Sequence, residues 1–173
     1  MKILIAYYTK TGTTAKCAAL LRAQFHNHEM TVADLAREQV CLSDYDAVLL
    51  GASVRFGRID RRMRRFLRER SEELLRCRAG YFLVCGDPEQ MTDVLTVDLP
   101  QPLWERAVAT EAFGGELRVE AQRGPLGKFM VWMMRRAIKN SELDGDLCDS
   151  GKGRYPEILP DNIARFADKI KRI

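Results

Sequence analysis

Five short apolar runs punctuate this chain, at residues 2 to 7, 30 to 34, 46 to 51, 79 to 85 and about 107 to 113. The third, "DAVLLGA", shows no polar alternation, the pattern of a strand buried on both faces of a parallel sheet. Between the runs, the spacing of apolar positions predicts helices over Thr13 to Phe25, Asp60 to Cys77, about Pro102 to Ala107 and Asp161 to Ile173. Strands alternating with helices make βαβ units, so the fold class is α/β, an open five-stranded parallel sheet with helices on both faces. Ligands in such sheets sit at the carboxyl ends of the strands, where the strand order reverses. The loops after residues 8, 51 and 85 are therefore the places to look for a site.

Length and composition narrow this picture. With 173 residues, 46% hydrophobic and 30% charged, the chain suits one domain over 1–173, with an extra helical segment at about 124–140. Ile3 to Tyr8 is too short an apolar run to span a bilayer and lacks a signal-peptide cleavage pattern, so a cytoplasmic location is expected. Cys17, Cys41, Cys77, Cys85 and Cys148 contain no C-x-x-C pair, which argues for buried reduced thiols over a disulfide framework or a zinc knuckle. His26 and His28 stand two residues apart, on different helical faces, and no metal site is expected.

Chemistry enters with "TKTGTT", residues 9 to 14, directly after the first strand. With Thr13 or Thr14 as helix cap, unpaired backbone N–H groups point into the loop beside the hydroxyls of Thr9, Thr11, Thr13 and Thr14. Gly12 allows a tight turn and close backbone approach. Donors without acceptors at a helix N-terminus make an anion site, and hydroxyls suit a terminal monophosphate. The G-x-G-x-x-G and G-K-[ST] loops of dinucleotide and nucleoside triphosphate sites are absent. An over-provided helix cap is the other reading of the same residues.

The T-x-T-G-x-T loop after the first strand resembles the phosphate signature of the flavodoxin-like family, and "GASVRFGR", residues 51 to 58, leaves the third strand where that family holds its flavin ring. "GASVRFG", the basic helix after it and "GKFMVWMMRRAIK" are similar, more narrowly, to the flavodoxin-like menaquinone-dependent protoporphyrinogen oxidases. The resemblance implies the strand order 2-1-3-4-5, FMN as cofactor, and Thr9, Lys10, Thr11, Gly12, Thr13 and Thr14 as the phosphate cradle. It implies Ala52, Ser53, Val54, Arg55, Phe56 and Gly57 at the isoalloxazine, with Gly86 and Asp87 as a turn beside it. A glycine peptide at Gly57 rotates at low cost, which lets a carbonyl accept a hydrogen bond from reduced flavin N5–H. Phe56 either covers a ring face or packs ordinarily. The implied activity is FMN-dependent, quinone-linked oxidation of the protoporphyrinogen oxidase type; the alternative is a flavodoxin-type one-electron carrier without substrate chemistry. No catalytic residue stands out beyond Arg55 as a candidate.

Two features bear on partners. The third loop has no Phe, Tyr or Trp between Cys85 and Trp104, where electron-carrier flavodoxins commonly stack an aromatic, and a bare outer face admits a flat porphyrin-like substrate or a quinone. From Arg55 to Arg78, ten arginines face four acids, a surplus of six in a chain whose net charge is +4. A basic surface favours anionic lipid, at the inner face of the membrane, or an anionic substrate, and repels partners that bind acidic carriers; a redox protein remains the partner under the carrier alternative. A solvated helix face is the simpler reading of the same arginines. No nucleic-acid motif accompanies the charge. "GPLGKFMVWMMRRAIKN", around Trp132, is either an interfacial amphipathic helix or a packing segment.

Overall fold

The computed structural model describes residues 1–115 and 157–172. The helical segment expected at 124–140, with Trp132, and Cys148 lie outside the described residues. The strands are β1 (Lys2–Tyr7), β2 (Glu29–Asp34), β3 (Ala47–Arg55), β4 (Arg58–Ile59), β5 (Arg78–Val84) and β6 (Ala109–Ala112). The helices are α1 (Thr13–Arg22), α2 (Arg61–Glu69), α3 (Ser71–Leu74), α4 (Met91–Asp98), α5 (Gln101–Glu105) and α6 (Pro160–Lys171).

The sheet runs β2-β1-β3-β5-β6, all parallel, and β4 adds a two-residue antiparallel pairing to the end of β3. With β4 set aside, this is the expected order of five parallel strands. One face of the sheet packs Leu4, Val48, Leu50 and Leu83 under α2 to α5, through Met63, Leu67, Leu74, Val94, Leu95 and Leu103. The other packs Ile3, Ile5, Leu49 and Phe82 under α1 and α6, through Cys17, Leu21, Ile163, Phe166 and Ile170. Phe82 stacks on Phe113 at 4.6 Å, and Phe166 meets both rings edge-on.

Several boundaries differ from the pattern-based expectation. β3 continues through Arg55, so Ala52 to Arg55 belong to the strand and only Phe56 and Gly57 turn. The helix expected over Asp60 to Cys77 breaks at Arg70, whose φ of −109° and ψ of 18° leave the helical region; Glu72 and Glu73 then favour a new helix N-terminus. Helix α4 was not expected at all: Thr92, Val94, Thr96 and Val97 are β-branched, and their pattern gives no clear helical stripe. Cys41 is exposed and Cys77 half-buried, against the expectation of buried thiols, because the neighbouring Leu42 takes the buried place in the 3-10 turn Leu42–Asp44.

Gly51 sits on β3 beneath the Phe82 ring, where an added Cβ would lie 2.2 Å from Phe82 Cζ. Phe82 is fully buried against two other rings and cannot swing away. Gly51→Ala is therefore expected to destabilise the protein by about 1–3 kcal/mol or more through overpacking. The check is a lowered urea midpoint at unchanged m-value.

Candidate functional site

Strand register brings the three candidate loops to one edge. Tyr7 lies beside Gly51, Ser53 beside Val84, and the Tyr8 N–H donates to Gly51 O at 3.4 Å. The segments Thr9–Thr14, Ala52–Gly57 and Gly86–Asp87 thus leave adjacent strands on the carboxyl side of the sheet.

The first loop is capped differently from the expectation. Gly12, not Thr13 or Thr14, is the N-cap of α1, left-handed at φ 84°, and no side chain caps the helix. Glycine adopts this conformation without the steric cost of a Cβ. The Gly12 N–H donates to Thr9 Oγ1 at 3.0 Å, and Thr11 and Thr13 hydroxyls lie 3.5 Å apart. Lys16 N–H closes the first turn onto Gly12 O, so the N–H groups of Thr13, Thr14 and Ala15 have no acceptor within the helix. Thr13 and Thr14 are buried, and the first turn carries no acid. The result is a cradle of hydroxyls and amides, chemistry that suits an oxyanion.

The second segment is a hairpin. β3 and β4 pair Val54 with Ile59 and Arg55 with Arg58, and the two-residue turn between them has φ 52° at Phe56 and φ 68° at Gly57. Consecutive positive φ values match the right-handed twist of such hairpins, but at Phe56 they are strained. Phe56 is 70% exposed, so packing against the described residues does not explain it. Ser53 Oγ is buried without a hydrogen-bond partner. In the third loop, Asp87 accepts from Glu89 N–H and Gln90 Nε2, and its carbonyl accepts from the Cys85 thiol at 3.3 Å. Burial pushes that thiol up to about 11. Trp104 packs against the core from α5 rather than folding back to the loop.

Two buried acids escaped the sequence reading as site residues. Asp60 caps α2 by accepting from Arg62 N–H at 3.0 Å, pairs with the Arg62 guanidinium at 3.1 Å and lies 3.9 Å from Lys10 Nζ. Arg62 in turn donates to Thr9 O at 3.3 Å and lies over the Tyr8 ring, so this pair ties the first loop to α2. The readable signal was an Asp opening a basic amphipathic run. Asp98 accepts from Ile59 N–H and from Arg58, with Arg64 at 3.6 Å. It had no signal, because α4 itself was illegible. Arg65 and Arg70 pair with Glu69 and Glu73. At least five arginines of the basic run are thus engaged by carboxylates, while Arg61 and Arg68 are exposed. Among the described residues no cluster of ligating side chains fits a metal, and no helix is long and apolar enough to cross a membrane.

The model of the flavodoxin domain family matches residues 4–144, most of the chain. The chain belongs to the flavodoxin domain family. This flavodoxin-domain chain is also similar in fold to a flavodoxin of Fusobacterium nucleatum bound to flavin mononucleotide. That match is 10% identical, covers 99% of this chain and 97% of the other, and has a TM-score of 0.53. A flavoprotein from Lactobacillus acidophilus in complex with FMN is 13% identical over 64% of this chain and 92% of its own, with a TM-score of 0.52. No curated protein matches the sequence significantly.

The Asp60 environment gives a pH prediction. Burial alone would raise its carboxyl; the hydrogen bonds from the Arg62 side chain and backbone, with the Arg62 and Lys10 charges, more than reverse this and hold it below its ordinary 3.8. A depressed folded value contributes stability that is present above the ordinary value and lost as pH falls through the folded one. Asp60→Asn should therefore lower Tm near neutrality yet lose less of it than wild type between about pH 5 and pH 3, as calorimetry at both pH values would show.

Proposed function

We propose that this chain is an FMN-dependent oxidoreductase, quinone-linked and of the protoporphyrinogen oxidase type. The observation that carries the FMN reading is the acceptor-poor cradle at Thr9–Thr14, lying on the same sheet edge as the unpartnered Ser53 hydroxyl and the left-handed Phe56–Gly57 turn. Membership of the flavodoxin domain family supports it, as do the two similar folds whose structures hold flavin mononucleotide. Thr9, Lys10, Thr11, Gly12, Thr13 and Thr14 would hold the phosphate. Ala52, Ser53, Val54, Arg55, Phe56 and Gly57, with Gly86 and Asp87, would border the ring.

FMN supplies a ring that accepts hydride or single electrons, and the chain's own part is to bind, orient and tune it. The enzymatic reading is supported by the third loop, which has no aromatic side chain, and by Trp104, which packs on the core instead. Arg55 directly precedes the exposed Phe56 on the hairpin, a cation toward which a carboxylate of an anionic flat substrate would be drawn, while Arg58 is engaged by Asp98. Orientation by such groups accounts for a large part of many barriers.

FMN should bind at least a hundredfold more tightly than riboflavin, and Gly12→Val should weaken FMN by about 3 kcal/mol with the fold intact by circular dichroism. Equal affinity for the two flavins rules out the cradle. FMN-loaded protein given protoporphyrinogen and a menaquinone analogue should develop porphyrin fluorescence above the uncatalysed rate. Arg55→Ala should raise KM more than it lowers kcat. Electron exchange with reductase partners, with protoporphyrinogen left untouched, would establish the carrier alternative instead.

A further inference from the structure

We propose that Asp98, at the carboxyl end of α4, is a positioning residue for the ring side of the site: its buried carboxylate locks the β3–β4 hairpin that presents Phe56 and Gly57. This rests on the FMN reading above and adds to it a residue outside the Thr9–Thr14, Ala52–Gly57 and Gly86–Asp87 segments.

β4 has two residues and pairs only with the end of β3, so the hairpin projects from the sheet with little ladder of its own. A ribbon of two pairs does not hold its shape unaided. Asp98 supplies the missing attachment. Its Oδ2 accepts from the backbone N–H of Ile59 at 2.7 Å; its Oδ1 accepts from Arg58 Nε at 2.8 Å and lies 2.6 Å from Arg58 Nη2. Arg64 Nη1, from α2, approaches the same oxygen at 3.6 Å. The Asp98 side chain is 1% exposed, and Ile59, the residue whose N–H it binds, is buried.

The placement is costly for α4 itself. A carboxylate in the last turn opposes the helix dipole, and burial removes its water. Helix stability alone would favour a cation or an apolar residue there. The contacts that offset the cost all come from the hairpin and from α2, which identifies what the carboxylate holds. Phe56 at φ 52° is a strained residue, and such a conformation persists only where its surroundings over-determine it. α4 also begins at Met91, directly after the Pro88–Gln90 turn of the third loop. One short helix therefore carries the third loop at one end and the hairpin's anchor at the other, and so sets the spacing of the two segments proposed to border the ring.

The test uses Asp98→Asn, which keeps the size and removes the charge, with Arg58→Gln as the partner variant. Affinities for FMN and riboflavin should each fall about tenfold in both variants, leaving the riboflavin-to-FMN ratio at the wild-type value, because the phosphate cradle is untouched. The double variant should be no worse than the poorer single one, since both break one contact. In flavin-free protein, chymotryptic cleavage after Phe56 should accelerate several-fold in Asp98→Asn, a readout independent of flavin. A lower Tm with both flavin affinities unchanged would mean a purely structural carboxylate and overturns the proposal; so does a changed ratio, which would move the effect to the cradle. If Asp98→Asn does not fold, Arg58→Gln alone decides by the same criteria. Wild-type protein that binds neither flavin overturns the FMN reading itself, an outcome distinct from wild-type binding with indifferent variants.

Discussion

β1 is hydrogen-bonded to β2 on one side and to β3 on the other, and the candidate site exists because of this. The connection that follows β1 runs through α1 on one face of the sheet, while the one that follows β3 runs through α2 and α3 on the other. Two connections diverging from neighbouring strands leave a crevice that neither fills. The amide groups at the start of α1 open into it because α1 begins four residues after Thr9, too soon for another element to cover them. Gly51 and Phe82 set the floor below: the ring occupies the space that a side chain on β3 would need, which joins β3 and β5 closely just before both reach the site.

Charge does structural duty at the rim. Asp60 and Asp98 are the buried acids among the described residues; Asp60 directly follows β4, and Asp98 accepts from Ile59 N–H within it. Asp60 reaches the first loop through Arg62 and Lys10; Asp98, on α4, reaches Ile59, Arg58 and Arg64. A buried carboxylate is tolerated only when its partners are close and well oriented, so each acid fixes its arginines in turn. The arginine-rich run is consequently half framework. Arg61, Arg68, Arg76 and Arg78 are exposed beside it, as is Phe56.

β1, β3 and β5 were legible because strands buried on both faces must be apolar throughout. Their order followed from a family resemblance rather than from periodicity. The phosphate loop was legible in composition but not in geometry: four threonines suggested a hydroxyl cap, whereas the glycine caps and the threonines are left to line the cradle. β3 looked finished at Gly51 because Ser53 and Arg55 are polar, yet the strand outgrows only β1: Ser53 still pairs with Val84 of β5, and Arg55 with Arg58 of β4. Helix α4 was invisible because tertiary contacts through Val94, Leu95 and Leu99 override its β-branched local preference. With α4 went Asp98, so the hairpin's anchor could not be read before the fold was known.

What the edge offers chemically constrains the mechanism more than any single residue does. The described groups there are threonine and serine hydroxyls, backbone amides, Lys10, arginines, the exposed Phe56 and the Asp87 carboxylate, which is taken up by Glu89 N–H and Gln90; the nearby Cys85 thiol is held protonated by burial and serves to bond the Asp87 carbonyl. Such a set binds anions, stacks flat rings and fixes orientation. It lacks the juxtaposed nucleophile and base that covalent or acid–base catalysis requires. A chain built this way acts by binding and orienting what it holds, and its sensitivity to mutation should follow geometry: residues that set spacing, such as Gly12, Gly57 and Asp98, should matter as much as those that touch the ligand.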